Sequence, residues 1–223
     1  MESFQDTVDK HYHEAVHTYT DINQHVPTLS RYAEECNSVV EFGVRSGVST
    51  WGVINGLLKH TSSDNNTTLH GYDLQGAPWP YQFLDNSPGT GLNSTFTQAN
   101  VLQIPPVECD MLFIDTFHVY GQLRRELSRH AQGVRKYIIM YDTTVDEWEG
   151  EVRRCCWDAA TMEAQTGIPA GELLIGLWPA VTLFLEGHPE WGLKERFTNN
   201  NGLTVLERRA AAPVVLEADV HLS

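Results

Sequence analysis

Apolar positions along the chain fall into two rhythms. Residues 3–35 carry Tyr12, Ala15, Val16, Tyr19, Ile22, Leu29, Tyr32 and Ala33 at helical spacing. Pro27 divides this stretch and predicts two helices around a turn at Asp21–Pro27. The next run, SVVEFGV at 38–44, is short, apolar and ends in glycine, as a strand would. A helical segment (48–60) and a second β-type run, TLHGYDL (68–74), follow. Residues 75–93 read as a long loop, broken by Pro78, Pro80, Pro88, Gly89 and Gly91. STFTQAN (94–100) alternates like a strand, and DMLFID (110–115) and KYIIMYD (136–142) read as buried strands. Helices are predicted over 119–132, 149–165 and 178–187. WGLKERFT and LTVLERR flank Asn199–Gly202 and predict a hairpin.

Short apolar strands alternating with helices predict an α/β fold, a parallel sheet covered on both faces, with the hairpin as an antiparallel edge. No composition break divides the 223 residues, so one domain is expected, its main body over 36–210. A helical cap (1–35) belongs to it, and 211–223 is expected to be a tail. Fifteen Lys and Arg against 29 Asp and Glu leave a formal charge of -14, which argues against a nucleic-acid partner. A small-molecule substrate, a cationic ligand or a metal ion suits that charge. No apolar run approaches the roughly 20 residues of a membrane span, and the polar N-terminus has no signal-peptide core, so a cytoplasmic protein without a membrane partner is expected. The oligomeric state is left open, a homodimer included. Cys36, Cys109, Cys155 and Cys156 form no CxxC pair and read as small hydrophobes.

Four β-type runs end at carboxylates: Glu41, Asp73, Asp115 and Asp142. In an open α/β sheet, ligands bind beyond the carboxyl ends of the strands. In EFGVRSG (41–47), Gly43 and Gly47 flank a tight turn into a helix whose first turn carries Ser49 and Thr50. Backbone can approach a ligand there, and the hydroxyls can cap the helix or meet a carboxylate. The spacing is neither GxGxxG nor GxxxxGK[ST], which disfavours a dinucleotide or triphosphate. Asp73, ending the second strand, is placed to accept both hydroxyls of an adenosine ribose.

With Glu41–Gly43–Gly47 and Asp73 in place, the chain resembles the class I S-adenosylmethionine-dependent methyltransferases over 35–208. The resemblance implies a doubly wound, mostly parallel, seven-stranded Rossmann-like sheet. It implies S-adenosyl-L-methionine held by Glu41, Gly43, Gly47, Ser49, Asp73 and Asp115, with Asn100 and Val101 flanking the adenine. The D-x-x-H of 115–118 and the YDTT of 141–144 look like small-molecule O-methyltransferases of the macrolide-sugar and cephalosporin-hydroxylase-like group. In that group Asp115 and Asp142 would hold Mg²⁺ with Thr143, His118 would be the base, and a hydroxyl would be the acceptor. The chain departs from it at Tyr141, where a second acid is usual, and at Thr143, where catechol-type enzymes carry Asn. Metal dependence is therefore left open.

Two other classes compete. One is a non-catalytic S-adenosylmethionine-binding protein. The other is a zinc metalloprotease, because HEAVH (13–17) matches HExxH, with His13 and His17 as ligands and Glu14 as base. The next histidine, His25, lacks the glycine turn of an extended zinc motif, so an exposed N-terminal helix is the expectation. In the methyltransferase reading this segment lies over the cofactor or the sheet edge, and Tyr19, Asp21 and His25 reach the substrate.

Overall fold

Ser3 starts the first helix with a reciprocal capping box to Asp6, and α1 runs over Phe4–His17. A short 3-10 turn at Asn23–His25 leads into α2, Val26–Glu34. Pro27 lies in the first turn of α2, where its missing N–H costs nothing. The break therefore falls before the proline, at residues 18–25, and not around it. The structure, a computed structural model, describes residues 3–60, 67–86 and 90–209, so the expected tail at 211–223 lies outside them.

The remaining elements are β1 (Ser38–Phe42), α3 (Val48–Lys59), β2 (Thr67–Asp73), α4 (Trp79–Asp85), β3 (Leu92–Gln98), β4 (Cys109–Ile114), α5 (Tyr120–His130) and β5 (Val134–Tyr141). Then come α6 (Glu151–Arg154), α7 (Ala159–Thr166), α8 (Ala170–Leu173), α9 (Trp178–Gly187), β6 (Trp191–Phe197) and β7 (Leu203–Arg208). Two expectations are corrected. The long loop contains α4, because Pro80 sits in a helical first turn and Tyr81 and Leu84 bury against the sheet. The single helix at 149–165 is two, separated where Cys156 takes a left-handed φ of 55° and Asp158 caps α7 by accepting the Thr161 N–H at 2.8 Å.

The seven strands are ordered β3-β2-β1-β4-β5-β7-β6. β1 to β5 are parallel, and β7 runs antiparallel between β5 and β6. Chain order reverses between β1 and β4, which makes their carboxyl ends the topological switch point. Side chains alternate across the sheet. Val39, Met111, Phe113 and Ile139 face α1–α4, while Val40, Phe42, Leu112 and Ile138 face α5 and α9. Cys36 and Cys109 are buried in these layers, Cys155 is half-buried and Cys156 exposed, and all four are free thiols. Among the described residues no helix is long and apolar enough to cross a membrane.

Candidate active site

The turn after β1 is held by two close approaches. Gly43 has φ 79°, and a Cβ added there would lie 1.7 Å from the Asp115 carbonyl oxygen. The loops leaving β1 and β4 thus touch at the switch point, with the Asp115 N–H donated to the Phe42 carbonyl at 2.8 Å. Gly47, φ 81°, begins α3, and Pro80 of α4 lies over it, 2.5 Å from where a Cβ would stand. Asp73 ties this turn to β2. Its Oδ2 accepts the amides of Val44 and Arg45, each at 2.8 Å, and its Oδ1 accepts that of Gln75 at 2.8 Å. A carboxylate offers about four lone-pair positions. Three are used by backbone, so Asp73 has one left for a ligand hydroxyl while the turn stays intact, not the two expected.

Glu41 and Ser49 are turned inward. Glu41 is fully buried beneath α3, where it accepts hydrogen bonds from Ser49 Oγ at 2.6 Å, Thr50 Oγ1 at 2.8 Å and Tyr81 OH at 3.3 Å. Burial pushes its carboxyl up to about 7, against the downward pull of those hydroxyls. The pair braces the turn from below instead of presenting polar atoms to the crevice. Asn100 and Val101 follow β3 beside Asp73, whose carbonyl accepts the Ala99 N–H at 2.8 Å. Asn100 Oδ1 accepts the Leu102 amide at 2.9 Å, and Val101 is buried.

On the other side of the switch point, His118 is surrounded by acids. Its Nε2 lies 3.1 Å from Asp115 Oδ1. Its Nδ1 lies 2.9 Å from Asp142, 3.5 Å from Asp146 and 3.6 Å from Glu151. Asp142 leaves β5 in a left-handed conformation, φ 58°. Asp146 is fully buried and takes a two-pronged ion pair from Arg154 at 2.6 and 2.9 Å. Burial alone would lower the His118 pKa. The carboxylates of Asp115, Asp142 and Asp146 outweigh it and hold the imidazole well above its usual value. Burial raises Asp115 against the pull of His118, and Asp146 is held low by His118 and Arg154 in spite of burial.

Asp115, His118 and Asp142 each offer a ligand atom within 4.8 Å of the others, the one such trio among the described residues. Thr143, expected as the third ligand, is engaged with β7. Its fully buried hydroxyl accepts from Thr204 Oγ1 at 2.9 Å, so the third donor beside the two aspartates is His118. Sequence reasoning missed Asp146, Glu151 and Arg154. For the two acids the signal was the density of carboxylates after β5 in DTTVDEWEGE, which no spacing rule singles out, and Arg154 lies beyond that segment with no signal of its own.

The segment 18–25 crosses above the edge. Asp21 forms a two-pronged pair with Arg45 at 2.7 and 2.9 Å, and Tyr141 OH donates to the Asp21 carbonyl. His25 is buried, and its Nε2 lies 2.9 and 3.2 Å from the Asn199 and Asn200 carbonyls in the β6–β7 turn. His25 is thus committed to the hairpin, whereas Tyr19 is 89% exposed. His13, Glu14 and His17 lie exposed on α1. The two imidazoles stack on each other and Glu14 pairs with His11 at 2.8 Å, an arrangement with no convergent ligand set.

No protein-family model matches the chain, and no curated protein matches it in sequence. Solved structures do match. SAH-bound methyltransferase PaMTH1 of Podospora anserina aligns with a TM-score of 0.54 at 13% identity, over 92% of this chain and 88% of that one. Cofactor-bound Rv0187 from MTB aligns with a TM-score of 0.53 at 14% identity, over 92% and 89%. An O-methyltransferase family protein of Burkholderia thailandensis gives 0.51 at 12% identity, over 93% of this chain but only 60% of that longer one. At these identities the likeness is one of fold.

Proposed function

We propose that this chain, which has the class I S-adenosylmethionine-dependent methyltransferase fold, transfers the cofactor's methyl group to a hydroxyl of a small molecule. One observation carries the reading. The braced Gly43–Gly47 turn with Asp73, and the Asp115–His118–Asp142 trio, stand on the two sides of the same switch-point crevice.

On the β1–β2 side, Asp73 accepts one ribose hydroxyl, Asn100 and Val101 flank the adenine, and the amide end of α3 meets the methionine carboxylate. Glu41 and Ser49 keep that turn in shape. On the β4–β5 side the acceptor oxygen lies against the trio. It attacks the methyl carbon in line with the departing sulfur. A C–O bond forms, the C–S pair stays on the thioether product, and the hydroxyl proton must go to the protein. With its four acidic neighbours His118 is an imidazolium and has no room for that proton. Asp115, half-buried and raised by that burial, is then the group able to take it.

A divalent ion fits this set. Asp142 Oδ1 is buried without a hydrogen-bond partner, and two carboxylates with an imidazole are a suitable donor set. When bound there by Asp115 and Asp142, such an ion supplies charge that lowers the pKa of the acceptor hydroxyl. Incubation with methyl-labelled S-adenosylmethionine and a panel of phenols, sugars and amines, with and without Mg²⁺, tests the proposal. Label appearing as a methyl ether supports it. Label on nitrogen corrects the acceptor class, and cofactor binding without transfer to any compound points to the non-catalytic alternative.

A further inference from the structure

α5 turns a row of polar side chains, Gln122, Glu126 and His130, into the protein interior. His130 has obvious partners there, the Val107 amide at 3.3 Å and the Val101 carbonyl at 3.0 Å. Glu126 is harder to explain as a packing residue. It is fully buried between Leu123 and Leu127, where a third leucine would be less costly. A hydroxyl and an amide, not a cation, are its partners: Thr116 Oγ1 and Gln122 Nε2 both donate to Oε1 at 2.7 Å. The second oxygen, Oε2, is buried and has no partner.

Thr116 lies between Asp115 and His118 in the chain. Beside it is a cavity of about 10 Å³, room for about one water molecule. Thr116, His118, Glu126 and Tyr141 line it, and Leu123 and Leu177 help to close it. Of the lining residues, Glu126 has a buried oxygen, Oε2, without a partner, and His118 Nδ1, 2.9 Å from Asp142, makes no well-directed hydrogen bond there. We propose that Glu126 is a positioning residue for the Asp115–His118 turn. It holds the turn directly through Thr116 Oγ1, and through a single water that bridges Glu126 Oε2 to the His118 imidazole. The consequence for turnover rests on the proposed methyltransferase reading, but the holding itself is a property of the fold.

The test uses the full chain and needs no acceptor. A high-resolution crystal structure should show one ordered water between Glu126 Oε2 and His118. Glu126→Leu removes a buried carboxyl with one unpaired oxygen but leaves Thr116 Oγ1 and Gln122 Nε2 without their acceptor, so its melting temperature should change little. Its Asp115, His118 and Val119 amides should nonetheless exchange with solvent about tenfold faster. Glu126→Gln, whose amide oxygen still accepts from Thr116 and Gln122, should restore wild-type exchange. If Glu126→Leu does not fold, Thr116→Val should give the same local acceleration. A dry cavity with unchanged exchange in Glu126→Leu overturns the proposal, as does equal acceleration in the Leu and Gln variants or none in Thr116→Val. None of these readouts involves methyl transfer, so the functional proposal and this one fail separately.

Discussion

Among the described residues, His118 is the one basic side chain placed directly among Asp115, Asp142, Asp146 and Glu151, with Arg154 reaching only the latter pair. Removing it leaves acids facing one another in a largely buried space. His118→Ala should therefore lose about 2–4 kcal/mol of stability in chelator. Added Mg²⁺ should return much of that loss if Asp115 and Asp142 take the ion. Urea melts with and without Mg²⁺ measure both, and an unchanged midpoint in chelator contradicts the electrostatic account. At this scale the sequence was a partial guide. Asp115, His118 and Asp142 were legible because a D-x-x-H after one strand and an acid after the next are local patterns. The inward turn of Glu41 was not, since its hydroxyl partners come from α3 and from Tyr81 of α4. Nor was the engagement of the Thr143 hydroxyl, whose partner Thr204 comes from β7.

Between elements, the tightest joint is where the β1 and β4 loops cross. Gly43→Ala would put a methyl group on the Asp115 carbonyl and demand a left-handed φ of 79° from alanine. A cost of about 3 kcal/mol or more follows, together with displacement of Asp115. A thermal melt and a crystal structure of the variant measure this, and a variant as stable as wild type would mean that the crossing is loose. Strands and most helices were legible because each has its own periodicity. Helix α4 was hidden by the prolines around it, since Pro80 in a first helical turn has the same letter as Pro80 in a loop. The split of the 149–165 helix was hidden because Cys156 carries no turn signal for its positive φ.

For the whole molecule, the buried Glu41 makes stability depend on pH. Its folded pKa, about 7, stands above the usual carboxylate value of 4.5, with burial the main cause and Asp115 adding to it against Ser49, Thr50 and Tyr81. A raised folded pKa contributes stability that is fully present below the unfolded value and is lost as pH rises through the folded one. Between pH 5 and pH 8 wild type should therefore lose roughly 2–4 kcal/mol relative to Glu41→Gln. Urea melts at the two pH values measure it, and parallel pH profiles would contradict a buried, raised Glu41. The order of the sheet, the switch point and the −14 charge are likewise properties of the whole chain. Only the charge is visible before folding. The order had to be inferred from alternation and family resemblance.

The proposed function requires a sulfonium cofactor on the Gly43–Gly47 turn with its ribose at Asp73. Calorimetric titration with S-adenosylhomocysteine, on wild type and on Asp73→Ala, tests it most directly. Saturable one-to-one binding is predicted for wild type. In Asp73→Ala it should be weakened about tenfold, the worth of one charge-assisted hydrogen bond, with a lower melting temperature because three backbone amides lose their acceptor. No saturable binding to wild type, or equal affinity in the two proteins, would contradict the claim.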